Sequence, residues 1–132
     1  MTVYLDSSAL VKLIQVETET AALREFLADR RGLARATSAL ARVEVVRAVT
    51  VADRAAVRQA RLLLARLHEV TMDRSLLDRA GALMTDAPLR SLDAIHLASA
   101  LMLGSTLDAV VTYDARMANA ATELGLPVER PG

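Results

Sequence analysis

The chain has no cysteine among its 132 residues, which excludes thiol nucleophiles, disulfide frameworks and zinc fingers in one step. Any metal it holds must be bound by oxygen. No apolar run approaches the ~18 residues of a membrane helix, and residues 1–6 lack the basic start of a secretion signal. A cytoplasmic protein with no membrane partner is therefore expected. An excess of charge is missing too: sixteen basic residues meet sixteen acidic ones, so the basic surplus typical of nucleic-acid binders is absent. That absence is not decisive, because a site that gathers acids around divalent cations carries part of its positive charge as metal. Lysine occurs once, at Lys12. Nothing resembling a linker, repeat or low-complexity stretch divides the chain, whose length suffices for a core without staples. One domain over residues 1–132 is expected.

What is present is an alternation of short β-branched runs with longer amphipathic segments. The pattern predicts strands at residues 2–6, 33–37, 68–72, 108–112 and 126–129, with helices between them. Ser7 or Ser8 is placed to cap a helix from Ala9, and Ser38 and Ser91 to start two more. Strand and helix in turn imply an α/β fold, an α/β/α sandwich around a mainly parallel sheet of four to five strands.

Four acids stand out against this frame. Asp6 ends the first strand, at the carboxyl edge where open parallel sheets bind ligands; a plain helix cap is the alternative. Asp114 repeats that position after Asp108-Ala109-Val110-Val111-Thr112. Asp93 falls in the first turn of an apolar helix, where the dipole alone would favour an acid. Glu44 lies within a helix, on a side between Leu40, Ala48 and Val51 that should be largely covered, so it needs a partner or a metal. A salt bridge to Arg47 is the ordinary alternative. Clustered carboxylates repel unless cations neutralise them, and hard oxygen ligands select magnesium or manganese. Such a site suits phosphodiester hydrolysis by metal-activated water. His96, one turn after Asp93, could touch substrate, hold Asp93 or simply pack. Arg90 is a candidate phosphate contact or a solvated loop residue.

Taken together, four stretches resemble the PIN-domain nucleases and, within them, the VapC toxins of bacterial toxin–antitoxin pairs. They are Tyr4-Leu5-Asp6-Ser7-Ser8-Ala9-Leu10, the helix around Glu44, Leu89-Arg90-Ser91-Leu92-Asp93-Ala94-Ile95-His96, and Val111-Thr112-Tyr113-Asp114. The resemblance spans nearly the whole chain in the family's order. It implies Asp6, Glu44, Asp93 and Asp114 as the acidic, metal-binding and catalytic site, with Ser7 and Thr112 supporting it. It also implies metal-dependent RNA cleavage without the 2′-hydroxyl, and inhibition by a VapB-like antitoxin laid over the groove.

Other readings meet specific obstacles. A receiver-type signalling domain requires a late lysine, and a haloacid-dehalogenase-type phosphatase requires an acid where Ser8 stands. A PIN nuclease that processes RNA without an antitoxin is the alternative that sequence leaves open. Helices carrying Val43, Val45, Val46, Val49 and Val51, and Leu62, Leu63, Leu64 and Leu67, are apolar nearly all round. Part of that surface is expected to meet another chain, as a homodimer or against the antitoxin.

Overall fold

The computed structural model describes residues 1–132. Strand β1 (Thr2–Leu5) is followed by α1 (Ser7–Lys12), α2 (Thr20–Ala28), β2 (Ala34–Ser38), α3 (Ala41–Ala52), α4 (Ala56–Leu64) and β3 (His68–Val70). Then come α5 (Arg74–Ala82), α6 (Ser91–Leu101), β4 (Leu107–Val111), α7 (Ala115–Glu123) and β5 (Val128–Glu129). The strands form one sheet in the order β3-β2-β1-β4-β5, and every pair is parallel. This is the expected α/β arrangement in its five-strand form. No helix is long and apolar enough to cross a membrane.

Parallel pairing forces helical crossovers, so both faces of the sheet are covered and the central strands are apolar on both sides. Side chains alternate along β1 with period two. Val3 and Leu5 join Leu10, Leu23, Val45 and Val49 in the larger core. Tyr4 points to the other face, where it packs with Ala36, Ala100 and Val110. Complete burial of each leucine contributes about 1.5–3 kcal/mol.

From β1 the chain works outward through β2 to β3, then returns to place β4 on the other side of β1. The carboxyl ends of β1 and β4 therefore flank the point where strand order reverses, the natural crevice of an open parallel sheet. Register makes the placement specific. Leu5 pairs with Val111, and the Asp6 N–H donates to the Val111 carbonyl at 3.2 Å, which carries the ladder one residue further and sets Asp6 beside Thr112.

Several local expectations are corrected. Ser38 ends β2 instead of opening a helix; its Oγ accepts from the Leu40 N–H at 3.1 Å. Helix α3 consequently begins at Ala41, and Glu44 lies in its first turn rather than deep inside it. The side expected to be covered is open: Ala48 is exposed and Val51 is 91% exposed. Helix α6 starts at Ser91 itself, with Arg90 in the cap position and no side-chain cap bond. Strands β3 and β5 are shorter than predicted because each is an edge with a partner on one side only. Pro127 has no N–H for a ladder, although its carbonyl accepts from Val110 at 2.7 Å.

Candidate active site

Asp6 leaves β1 in extended conformation and is the N-cap of α1, its Oδ1 accepting from the Ala9 N–H at 3.0 Å. Neither Ser7 nor Ser8 takes that role. Ser8 Oγ instead donates to the same Oδ1 at 2.6 Å and accepts from the Tyr113 N–H at 2.9 Å. Thr112 Oγ1 donates to Asp6 Oδ2 and accepts from the Asp114 N–H at 3.1 Å. Asp6 and Thr112 are both buried. Enclosure pushes the Asp6 pKa above its ordinary value, although the bonds from Ser8, Thr112 and Ala9 each pull it down. The site thus holds a carboxylate whose charge is under-compensated.

Asp114 caps α7 as Asp6 caps α1, its Oδ1 accepting from the Arg116 N–H at 2.9 Å and the Met117 N–H at 3.4 Å. Its other oxygen, Oδ2, accepts from Arg90 Nη2 at 2.7 Å. Arg90 also forks onto Asp93, Nε to Oδ2 at 3.0 Å and Nη2 to Oδ1 at 3.2 Å. One guanidinium therefore spans two acids from different helices. The two carboxylates hold its proton more tightly than usual, Asp93 foremost.

Glu44 reaches the same edge from α3. No ion pair with Arg47 forms; Glu44 Oε1 accepts from Ser7 Oγ at 2.7 Å and lies 2.7 Å from His96 Nε2. His96 is buried, and its Nδ1 lies 2.7 Å from the Tyr4 hydroxyl. His96 thus bonds Glu44 and Tyr4 rather than Asp93. Partial burial raises the Glu44 pKa, but the contacts from His96 and Ser7 outweigh it and leave the group below its ordinary value. Burial holds the Tyr4 hydroxyl well above the usual range.

The eight residues singled out from sequence fall in two sets of contacts, Asp6, Thr112, Asp114, Arg90 and Asp93 in one and Glu44, Ser7 and His96 in the other. Asp6 and Asp114 meet through Thr112, Asp93 and Asp114 through Arg90, and Glu44 and His96 through Ser7. Sequence reasoning missed Ser8 and Tyr4 as supports. Ser8 could have been found as a hydroxyl two residues after a strand-end acid, whereas the Tyr4 contact spans 92 positions and has no local signal. The largest cavity, about 630 Å³ between α5 and α6, lies beside this cluster and touches it only at Arg90. A recess of about 350 Å³ opens directly on Ser7, Ser8 and Glu44, with Lys12 and Tyr113 in its wall.

A hard divalent cation is the chemical complement of this donor set. The carboxylates and hydroxyls offer oxygen only, one acid is buried with its charge under-compensated, and two others already share a cation in the form of Arg90. No three acidic or imidazole groups converge into a ready-made metal cage.

Comparison with known proteins places this geometry in context. Residues 3–123 match the model of the PIN domain. The chain is 47% identical over 129 residues to ribonuclease VapC46 of Mycobacterium tuberculosis, covering 98% of this chain and 97% of that one. It is 46% identical over 132 residues to ribonuclease VapC35 of the same organism, with the same coverage. Among solved structures it superposes on M. tuberculosis VapC20, a Sarcin-Ricin loop cleaving toxin, with TM-score 0.74 at 17% identity over 98% of this chain and 99% of that one. It superposes on VapBC2 from Rickettsia felis, bound to a promoter DNA fragment, with TM-score 0.73 at 15% identity over the whole of both chains. The chain belongs to the PIN-domain family, in the branch that contains the VapC ribonucleases.

Proposed function

We propose that this protein is an endoribonuclease that hydrolyses RNA phosphodiester bonds with magnesium or manganese, and that it is the toxin of a toxin–antitoxin pair. The observation that supports the reading is that Arg90 joins Asp93 to Asp114, Thr112 joins Asp114 to Asp6, and Glu44 lies within the field of the same Arg90, in a chain that matches ribonucleases over nearly its entire length. Asp6, Glu44, Asp93 and Asp114 would hold the metal. When bound, it would supply an activated water and neutralise charge on the attacking and leaving oxygens.

The chain's own residues position those ligands. Thr112 and Ser8 fix both oxygens of Asp6. Ser7 and His96 fix Glu44, with Tyr4 bracing the imidazole from behind. Arg90 stands at the rim, 56% exposed, where a planar fork suits a phosphate. The toxin role is supported by relatives named VapC and by structural neighbours that include a toxin–antitoxin complex from Klebsiella pneumoniae, with TM-score 0.69 over 98% of this chain. A VapB-like antitoxin and a second copy of this chain are the protein partners. Val43, Val51 and Leu62 offer them exposed apolar surface on α3 and α4.

The test is an RNA cleavage assay with magnesium, manganese or excess chelator, read by sequencing the ends, together with controlled expression in cells. Metal-dependent cuts, and growth arrest relieved by the neighbouring gene's product, are expected. Full cleavage in chelator overturns the metal reading. Cleavage by a chain that is harmless on expression replaces the toxin with an RNA-processing nuclease.

A further inference from the structure

The cation that the acids already hold is part of the protein. Arg90 is anchored where the loop after α5 enters α6, in extended conformation. Its side chain is more than half exposed, yet Nε and Nη2 both end on acids, and Nη2 alone lies 3.2 Å from Asp93 Oδ1 and 2.7 Å from Asp114 Oδ2. Asp93 and Asp114 would hold a magnesium or manganese ion through carboxylate oxygens that now take the guanidinium, so guanidinium and metal compete for them.

The other two acids are supported differently. Asp6 is bonded by hydroxyls and a backbone N–H, and Glu44 by Ser7 and His96. Asp6 Oδ2 takes one donor, Thr112, and Glu44 Oε2 takes none, which leaves lone pairs for a ligating role. Only the Asp93 and Asp114 pair is bridged by a cationic side chain, and that side chain is more than half exposed.

We propose that Arg90 is a resident counter-ion which a divalent cation must displace from Asp93 and Asp114, and that the displaced guanidinium then serves as the site's phosphate contact for RNA. This rests on reading the acids as a metal site. Without Arg90 the two carboxylates repel each other in the metal-free chain; with it, the cluster is stable but partly closed to metal. A bridge that must open first lowers apparent metal affinity in proportion to the fraction of time it is open. Displacement also puts a positive fork over the site when the metal is in place, coupling loading to substrate capture.

The experiment uses the full chain and Mn²⁺ as the probe, with titration calorimetry on wild type and Arg90→Gln. The variant is expected to bind Mn²⁺ severalfold more tightly, while KM for RNA rises and kcat changes less. An arginine that stays in place while metal binds would also oppose it through charge alone, so displacement is read from the arginine's own resonance. In wild type, the Arg90 Nε–H resonance, identified by its loss in Arg90→Gln, is expected to shift as Mg²⁺ is added. Unchanged or weaker Mn²⁺ binding by the variant, or a resonance indifferent to Mg²⁺, overturns the displacement. Tighter metal binding with an unchanged KM overturns the phosphate contact alone. Failure of both proteins to take up Mn²⁺ at millimolar concentration overturns the metal-site reading itself.

Discussion

Replacing Asp6 by Asn separates its two roles, because the amide keeps the cap but removes the charge. In the folded chain the carboxylate accepts bonds from Ser8, Ala9 and Thr112, each worth about 1.5–3 kcal/mol with a charged acceptor. Opposing them is a desolvation cost of several kcal/mol for an enclosed ion. The raised pKa of Asp6 means that the cost wins. Asn retains the Oδ1 contacts to Ser8 and Ala9, gives up the charge-assisted bond from Thr112 at Oδ2 and escapes the desolvation penalty, so at neutral pH in chelator the variant is expected to melt no lower than the wild type. A carboxyl with a raised folded pKa costs stability above that pKa and is relieved as pH falls to the unfolded value of 3.8. Any advantage of Asn should therefore close between neutral pH and about pH 4. Metal reverses the order: at a hundredfold excess over its Kd it stabilises the wild type by about 2.7 kcal/mol, while the variant lacks a charged ligand. Melts with EDTA and with Mn²⁺ read both effects. An Asn variant less stable than wild type in EDTA at pH 7 would refute the reasoning and leave Asp6 as a cap.

Thr112→Val keeps shape but removes a donor to the Asp6 carboxylate, so denaturant unfolding should show a loss of about 1.5–3 kcal/mol at neutral pH that shrinks in acid. His96→Ala leaves the fully buried Tyr4 hydroxyl without its imidazole partner and should cost at least about 1–3 kcal/mol; Tyr4→Phe in the same chain should recover part of it, as a double-mutant cycle reads. Glu44 has a lowered folded pKa, so its contribution to stability is present above the unfolded value of 4.5 and lost as pH falls through the folded one. A comparison of Glu44→Gln with wild type across that range checks the sign. If the exposed apolar residues of α3 and α4 meet a second copy, the solution mass should be near twice the 14.2 kDa of the chain.

The fold was legible because parallel α/β architecture writes itself locally. Each central strand is a short apolar run, and each strand end is followed by a polar residue that can turn the chain into a helix. β1 and β4 were read to within a residue of their observed ends. The start of α3 was not, because Ser38 carries both a β-compatible backbone and a hydroxyl suited to capping; pairing with Val70 across the sheet decided for the strand. Three residues of displacement there moved Glu44 from the interior of a helix to its first turn. Its expected need for a partner survived the shift, since Ser7 and His96 are both nearby.

The candidate residues were legible as positions at strand and helix ends but their bonds were not, and the reason lies in Asp6 and Asp114. From sequence, cap and ligand looked like competing explanations for an acid at a strand end. In the structure each is a cap: one oxygen of each carboxylate accepts the free N–H groups of its helix, which leaves the other oxygen to Thr112 or Arg90. On the proposed reading the cap is the device that orients the ligand. By contrast, contacts such as Tyr4 to His96 or Arg90 to Asp114 join residues 92 and 24 positions apart. No periodicity encodes them. They follow only once strand order has put β1 beside β4 and packed α6 against their shared edge, so the topology supplies what spacing leaves out.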